Sequence, residues 1–233
     1  MKVAALDIDG TLYPGALGLQ LLQALAANGI SDKSKTEEIF KVVEEYRLNK
    51  IDFQTMATSA YTLYAEAIAG ISQAVMQCHA RQVWQQERTK LFPFVPKLIE
   101  ILKNRGYSLV LISGSPNEIV SCLAEEFEIL KYQGSIFATY QGKYTGKVSL
   151  LSGVLGKKYS IFLQMVKDCR VNLNESLAIG DSITDTALLQ IVGKPVVFEP
   201  HPSLMLVAQE KGWLVTNRND VVKHIMELEN SSC

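Results

Sequence analysis

The spacing of apolar residues changes twice along the chain. A short apolar run, residues 3–6, continues through Asp7 to Ile8 and stops at Gly10 and the Tyr13-Pro14-Gly15 turn, which predicts a buried strand over 3–8. From Ala16 to about Arg88 the period lengthens. Leu17, Leu21, Leu22 and Leu25, then Ile39, Val42, Val43 and Tyr46, recur at helical spacing. With breaks at Gly29, Asp52 and Gly70, this stretch predicts roughly four helices and no strand, an all-α insert. Phe92-Pro93-Phe94-Val95-Pro96 punctuates the chain, and short apolar runs then alternate with helical periods. Strands are predicted at 107–112, 176–179, 195–198 and 213–215, with a short strand and a ribbon turning at Gln141-Gly142-Lys143 over 135–148. Helices are predicted at 96–104 (stopped by Gly106), 117–127, 158–168, 185–191 and 204–211. Such alternation specifies a parallel sheet with helices on both faces, an α/β core. The expected division is a core of residues 1–14 and 92–233 with the helical insert at 15–91.

Composition narrows the class without assigning a role. The chain has 233 residues, 48% hydrophobic and 20% charged, an ordinary globular balance. Its net charge of −1 provides no field to gather nucleic acid or anionic lipid, and no basic run compensates, so neither partner is expected. Cys78, Cys122, Cys169 and Cys233 are widely spaced and form no C-x-x-C pair, which suits reduced thiols better than a disulfide frame or a zinc site. Asp7 and Asp9 interrupt the first apolar run before it reaches the length of a secretory leader, and no segment is long enough to span a membrane. The expectation is a soluble cytoplasmic protein, monomer or homodimer.

Candidate chemistry gathers at the strand ends, where sheets of this kind bind ligands near the point at which strand order reverses. The first strand runs into Asp7 and Asp9. The strand at 107–112 runs into Ser113-Gly114-Ser115, and a helix opens at Gly156-Lys157-Lys158. The strand at 176–179 is followed by Gly180-Asp181-Ser182-Ile183-Thr184-Asp185. Alternate residues at a strand end share a side, so Asp7 and Asp9 can face one ligand. Asp carboxyls ionise near ~3.9 in isolation. Clustering Asp7, Asp9 and Asp181 therefore costs several kcal/mol or forces protonation, unless a hard cation is present. Oxygen ligands with room for water suit Mg²⁺. A metal among acids, beside a lysine and a serine, makes a site for a phosphoryl group. The ammonium and hydroxyl bind phosphate oxygens, and the metal screens the repulsion of an attacking carboxylate.

Together, Asp7-Ile8-Asp9-Gly10-Thr11-Leu12, Ser113-Gly114-Ser115, the lysine after Gly156 and the Gly180–Asp185 segment resemble the haloacid dehalogenase-like superfamily. Within it, the phosphoserine-phosphatase-like branch, subfamily IB with a helical C1-type cap, is the most similar. The stretch 142–148 and the tail from Val192-Gly193-Lys194-Pro195 to Gly212-Trp213 are similar too, so the resemblance covers nearly the whole chain. It implies a three-layer α/β/α Rossmann-like core with an inserted cap. It also implies a Mg²⁺-dependent phosphatase that hydrolyses a small phosphomonoester, a phosphorylated metabolite, through an aspartyl-phosphate. By resemblance, Asp7 is the nucleophile, and Asp9 is the acid for the leaving alcohol and then the base for water. The metal would be held by Asp7, the backbone carbonyl of Asp9 and Asp181, with Asp185 as a further ligand or as support for one. Ser113 and the amide of Gly114 would bind the phosphoryl oxygens with the lysine. From Lys158, Phe162 and Val166 follow at i+4 and i+8; from Lys157, Ile161 and Met165 do nearly as well. Lys158 is the preferred choice.

Plainer roles stand beside these. Ser113-Gly114-Ser115-Pro116 makes a good turn by itself, Asp181 a good helix cap, and Asp185 an exposed helical acid. His79, His201 and His224 are isolated and read as structural or surface groups. Tyr61, Tyr64 and Trp84 read as core, and Arg47 as solvated unless the insert reaches the site. No Asp or Glu occurs between Asp9 and Asp32, where phosphoserine phosphatases carry an acid for the substrate amine. Tyr13 and the Leu17/Leu21 face would suit a less polar leaving group. Glu199 and His201 replace the Asn and Asp more common in related chains, with no functional account. The competing readings are a phosphotransferase using the same intermediate and a slow phospho-aspartate switch. A dehalogenase is disfavoured, since halide departure needs no acid such as Asp9.

Overall fold

The computed structural model describes residues 1–230. β1 (Lys2–Leu6) leads into four helices, α1 (Leu17–Ala27), α2 (Lys33–Arg47), α3 (Phe53–Ala67) and α4 (Gln73–Glu87). The chain continues through α5 (Val95–Asn104), β2 (Tyr107–Pro116), α6 (Asn117–Glu126), β3 (Lys131–Tyr140), β4 (Lys143–Leu150) and α7 (Lys157–Val166). It ends with β5 (Leu177–Gly180), α8 (Thr186–Leu189), β6 (Lys194–Phe198), α9 (Pro202–Lys211), β7 (Leu214–Thr216) and α10 (Val221–Asn230). The strands form one seven-stranded sheet in the order β4-β3-β2-β1-β5-β6-β7. Every neighbouring pair is parallel except the β3–β4 hairpin at the edge.

The layers follow from alternation. Ala4 and Leu6 of β1 share one face with Leu109, Leu111, Leu177 and Ile179, covered by Leu98 of α5, Ile119 of α6 and Ile225 of α10. Val3 and Ala5 share the other with Val110, Ile112 and Ala178, covered by Phe162 of α7, Leu188 of α8 and Leu204 of α9. A strand buried on both faces is the expected centre of a doubly wound sheet. Strand order reverses at β1, so a crevice opens at its carboxyl end.

The insert leaves and re-enters the core at one place, where Phe92 N donates to Leu12 O at 3.0 Å. Asp32, Asp52 and Ser72 cap α2, α3 and α4, accepting from the amides of Lys35, Thr55 and Val75. Asp52, read from the pattern as a break, is thus a helix start. α2 packs on α3, α3 on β4 and α4 on α6. Leu21, Leu25, Ile68, Met76 and Trp84 join the hydrophobic cluster that contains Leu6 and Leu98, so insert and core share an interior.

Several boundaries differ from the pattern. β1 stops at Leu6 because Ile8 O gathers the amides of Thr11, Leu12 and Tyr13 (3.2, 2.9 and 2.9 Å) into a turn. β2 continues through Ser113-Gly114-Ser115 to Pro116, with a register slip against β3 after Ile112, so this segment is not a simple turn. β3 is a full parallel neighbour of β2. The helix expected at 185–191 is a 3₁₀ turn, Ile183–Asp185, followed by the single turn of α8. α10 lies beyond the elements that the spacing predicted. Among the described residues Cys78, Cys122 and Cys169 are free; Cys233 lies outside them. No helix among the described residues is long and apolar enough to cross a membrane.

Candidate active site

Asp7 sits one residue past β1, its amide still donating to Ile179 O of β5 at 3.1 Å. Its side chain is buried, and Oδ1 accepts from Lys158 Nζ at 2.6 Å. The same ammonium donates to Asp185 Oδ1 at 2.7 Å. α7 aims this lysine inward: Lys158, Phe162 and Val166 are buried on one face, whereas Lys157 is exposed. Asp181 follows β5, and Thr11 Oγ1 links it to Asp7, donating to Asp181 Oδ1 at 3.0 Å and Asp7 Oδ2 at 3.3 Å. Asp185 is buried. Its second oxygen accepts from the amide and hydroxyl of Ser182, both at 3.0 Å, closing a capping box on the turn after β5. Gly10, at φ +87°, lets this loop approach: a Cβ there would lie 2.2 Å from Asp181 Oδ2.

Three carboxylates therefore face one ammonium in a buried space. Burial disfavours the Lys158 charge, but Asp185 and Asp7 outweigh it and hold the ammonium above its ordinary pKa. Burial pushes the Asp7 carboxyl well above the usual range; Lys158 opposes this, and Asp185, Asp181 and Asp9 reinforce it. Burial and then Asp185 push Asp181 up to about 6. Oxygens of Asp7, Asp181 and Asp185 all lie within 4.8 Å of one another. An all-oxygen set, short of positive charge, fits a hard divalent cation.

Asp9 stands beside this cluster in a different setting. Its Oδ2 accepts from Ser113 Oγ at 2.5 Å and Ser115 Oγ at 2.8 Å, both on the extended end of β2. Its Oδ1 accepts from Leu17 N at 2.8 Å. Ala16 has no side chain able to cap α1, so Asp9 does so from the preceding loop, a favourable place for a carboxylate. Ser113 Oγ also accepts from Ser115 N at 2.9 Å, and Ser115 Oγ from Gly18 N at 2.7 Å. Gly114 O accepts from Tyr61 Oη at 3.0 Å and Ser135 Oγ at 2.9 Å. Gly114 and Gly153 meet closely: a Cβ on Gly153 would fall 2.8 Å from Gly114 Cα. Burial pushes the Tyr61 phenol up to about 12, so it stays a donor.

Above these groups lies a cavity of about 940 Å³. Asp7, Asp9, Gly114, Lys158 and Asp181 line its floor, residues of α1, α2 and α3 line much of the rest, and Phe137, Ser182, Thr184 and His201 close its sides. Tyr13, Leu17 and Leu21 do not line it, contrary to expectation. Leu17 and Leu21 occupy the face of α1 that packs inward, and Tyr13 is buried with its hydroxyl on Glu87. Leu19 and Gln20, on another face of α1, line the cavity instead. Asp185 is not the exposed helical acid of the plainer reading. Arg47 lines the rim, 70% exposed and 3.7 Å from Glu44. His201 is more than a surface group: it lines the cavity, stacks on Tyr46 with ring centroids 5.6 Å apart, and meets its hydroxyl at 3.3 Å. Its amide donates to Asp181 O at 2.9 Å. His79 and His224 make contacts elsewhere. Glu199 forms a two-pronged pair with Arg218, at 2.8 and 2.5 Å. Tyr64 is buried as expected yet also lines the cavity.

Sequence reasoning gave no separate role to Thr11 or Ser115 and read Tyr61 as core, whereas Tyr61 lines the cavity with its hydroxyl on Gly114. Thr11 and Ser115 each lay two positions beyond a residue already singled out, Asp9 and Ser113, so the signal was present. Tyr61 gave none, because only the packing of α3 brings it to Gly114.

A buried lysine among carboxylates, at the switch point of a three-layer sheet with a helical insert, places the candidate site where α/β enzymes of this architecture bind their ligands. The chain belongs to the haloacid dehalogenase-like hydrolases, whose sequence model matches residues 1–193. It is 23% identical over 214 residues to phosphoserine phosphatase SerB1 of Mycobacterium tuberculosis, covering 90% of this chain and 68% of that one. Among solved structures, a Bordetella pertussis protein of unknown function superposes with a TM-score of 0.78 at 20% identity, covering 93% of this chain and 98% of that one. A substrate-bound phosphoserine phosphatase superposes with a TM-score of 0.69 at 19% identity, covering 96% and 98%. At these identities the structural likeness establishes the fold.

Proposed function

We propose that this enzyme is a Mg²⁺-dependent phosphatase that hydrolyses a small phosphomonoester through an aspartyl-phosphate on Asp7. The observation that carries the reading is the Asp7 carboxylate, 2.6 Å from Lys158 Nζ, with Asp181 and Asp185 gathered beside it. In this reading Lys158 and the Gly114 amide hold the phosphoryl oxygens, whereas the Ser113 hydroxyl, expected from the sequence to join them, is buried outside the cavity lining and donates its one proton to Asp9. Asp7 attacks phosphorus, and Asp9 delivers a proton to the departing alcohol oxygen. Asp9 then takes a proton from the water that attacks the aspartyl-phosphate, returning Asp7 and releasing phosphate. Ser113 and Ser115 suit a partner that changes protonation, because a hydroxyl donates to the carboxylate and can turn to accept from the acid. Asp7, Asp181 and the carbonyl of Asp9 would hold Mg²⁺. Both Asp185 oxygens already accept hydrogen bonds, which favours the role of holding Lys158 and the Ser182 turn. When bound, the metal supplies charge that offsets the carboxylates and the phosphate. Residues 15–91 act as a cap over a core of 1–14 and 92–233, and the enzyme works in the cytoplasm on a soluble metabolite.

The test is hydrolysis of p-nitrophenyl phosphate with Mg²⁺, with Ca²⁺ and in excess chelator. Activity should vanish with chelator, return with Mg²⁺ and return poorly with Ca²⁺, whose longer bonds and higher ligand number disturb the attack geometry. Full activity in chelator would overturn the metal assignment.

A further inference from the structure

We propose that the alcohol released by this enzyme is an uncharged, predominantly apolar body several carbons long, and not an amino acid. This rests on the phosphatase reading above and specifies its substrate class.

The first support is the cavity wall. Ile39, Val43 and Tyr46 follow one another along α2 at i, i+4 and i+7, and Phe53, Met56 and Ala60 along α3 at i, i+3 and i+7. Both faces open on the cavity above Asp7. Apolar faces at this spacing ordinarily close on one another. Here Val43, Tyr46, Phe53, Met56 and Ala60 stay only half-buried beside that space, so apolar area is left for an occupant to cover.

The second support is charge. The carboxylates lining the cavity are Asp7, Asp9 and Asp181, all on the floor and all held by Lys158, Thr11, Ser113 or Ser115. The insert contributes none. A substrate ammonium lying against Val43, Phe53 and Met56 would meet no carboxylate there, only neutral groups such as Gln20, Tyr46 and Asn49, so its charge would be desolvated without an ionic partner. The charge that the insert does bring to the rim is Arg47, which repels an ammonium.

The third support is size. At about 940 Å³ the cavity stands near the top of the roughly 300–1,000 Å³ range of small-molecule sites. A phosphorylated three-carbon amino acid would leave most of the wall wet.

The experiment uses the purified 233-residue chain with Mg²⁺ and a series of methyl, butyl, hexyl and octyl phosphates. O-phosphoserine is compared, and p-nitrophenyl phosphate serves as reference. The expected result is a kcat/KM that rises about two- to fourfold per methylene until the cavity is filled. O-phosphoserine should fall more than about tenfold below butyl phosphate. Met56→Glu should lower the octyl-to-methyl ratio, and Ala60→Phe should shorten the chain at which the rise stops. Circular dichroism checks that each variant folds. Alkylphosphonates, which have no scissile ester, read the same chain-length slope as inhibition constants on the unaltered protein. A flat or falling series, or a preference for O-phosphoserine, with p-nitrophenyl phosphate still hydrolysed, would overturn the substrate inference alone. Loss of p-nitrophenyl phosphate hydrolysis as well would overturn the phosphatase reading.

Discussion

The floor and the roof of the cavity are built on opposite terms. On the floor, each charged group is fixed by donors or acceptors from several elements. Lys158 comes from α7, Asp7 from the end of β1, Asp181 and Asp185 from the loop after β5, and the Asp9 partners from β2 and α1. The roof is largely apolar, with Gln20, Arg47 and Asn49 among its polar members, and it meets the loops of the floor through few polar contacts, among them Tyr61 on Gly114 and Tyr46 on His201. Directional bonds in a buried place hold atoms to a fraction of an ångström, which bond making requires. Apolar area recognises a body by size and tolerates movement. On the proposed reading, the floor decides which bond breaks and the roof decides which molecule is presented.

That division can be tested most severely at Asp7 and Asp9. Asp7→Asn should leave no measurable turnover on any ester, since the nucleophile is gone. Asp9→Asn should lose about 10²–10⁴-fold on alkyl esters, and less on aryl esters whose phenol departs without a proton. Rapid-quench trapping and peptide mapping should then find phosphate on Asp7 in the Asp9→Asn protein and none in the Asp7→Asn protein. Label on Ser113 or a histidine would refute the mechanism.

Lys158→Met comes next. It leaves Asp7 and Asp185 facing each other without their shared ammonium, and losing one partner of a buried pair costs about 3–5 kcal/mol. Thermal unfolding should show a large loss in chelator and a partial recovery with Mg²⁺. An unchanged Tm would mean that the lysine does not hold the floor together.

A smaller effect should follow pH. An unfolded Asp ionises near ~3.9, while Asp181 in the metal-free fold keeps its proton up to about 6. Its contribution to metal-free stability is thus complete at low pH and is lost as pH rises through about 6. Mg²⁺ requires the ionised form, so the Tm increment it produces should grow from pH 5 to pH 8. An increment independent of pH would remove Asp181 from the ligand set.

The mildest change tests the roof. Tyr46→Phe keeps the stack on His201 but loses the hydroxyl contact, and one such bond is worth about 0.5–1.5 kcal/mol. KM for p-nitrophenyl phosphate should shift by less than about tenfold, with kcat nearly constant. A large fall in kcat would show that the roof also sets the floor.

The chain's one-dimensional pattern carried the architecture, because burial imposes period two on strands and near four on helices, and each period shows in the residues themselves. The run at 3–6, the helical spacing from Leu17 to Tyr46 and the later alternation were enough for a sheet core with an all-α insert. The acids, serine and lysine were legible because a parallel sheet delivers its strand ends to one edge. What only the tertiary structure decided was direction and partnership. Spacing could not tell Leu17 and Leu21, packed inward, from Leu19, which faces the cavity, because both belong to the same short helix. Nor could it show that the apolar faces of α2 and α3, alike in sequence to core faces, are partly left to a cavity. The continuation of β2 past Ile112 was likewise set by its neighbour, through pairing with β3, whereas α10 carries a legible i, i+4 pattern in Val221 and Ile225 that sequence reasoning missed. Asp9 meets Ser115 across 106 residues and Asp185 meets Lys158 across 27, while Asp9 reaches α1 only because that helix lacks a capping side chain of its own. A contact of that kind belongs to the folded chain and has no local signature.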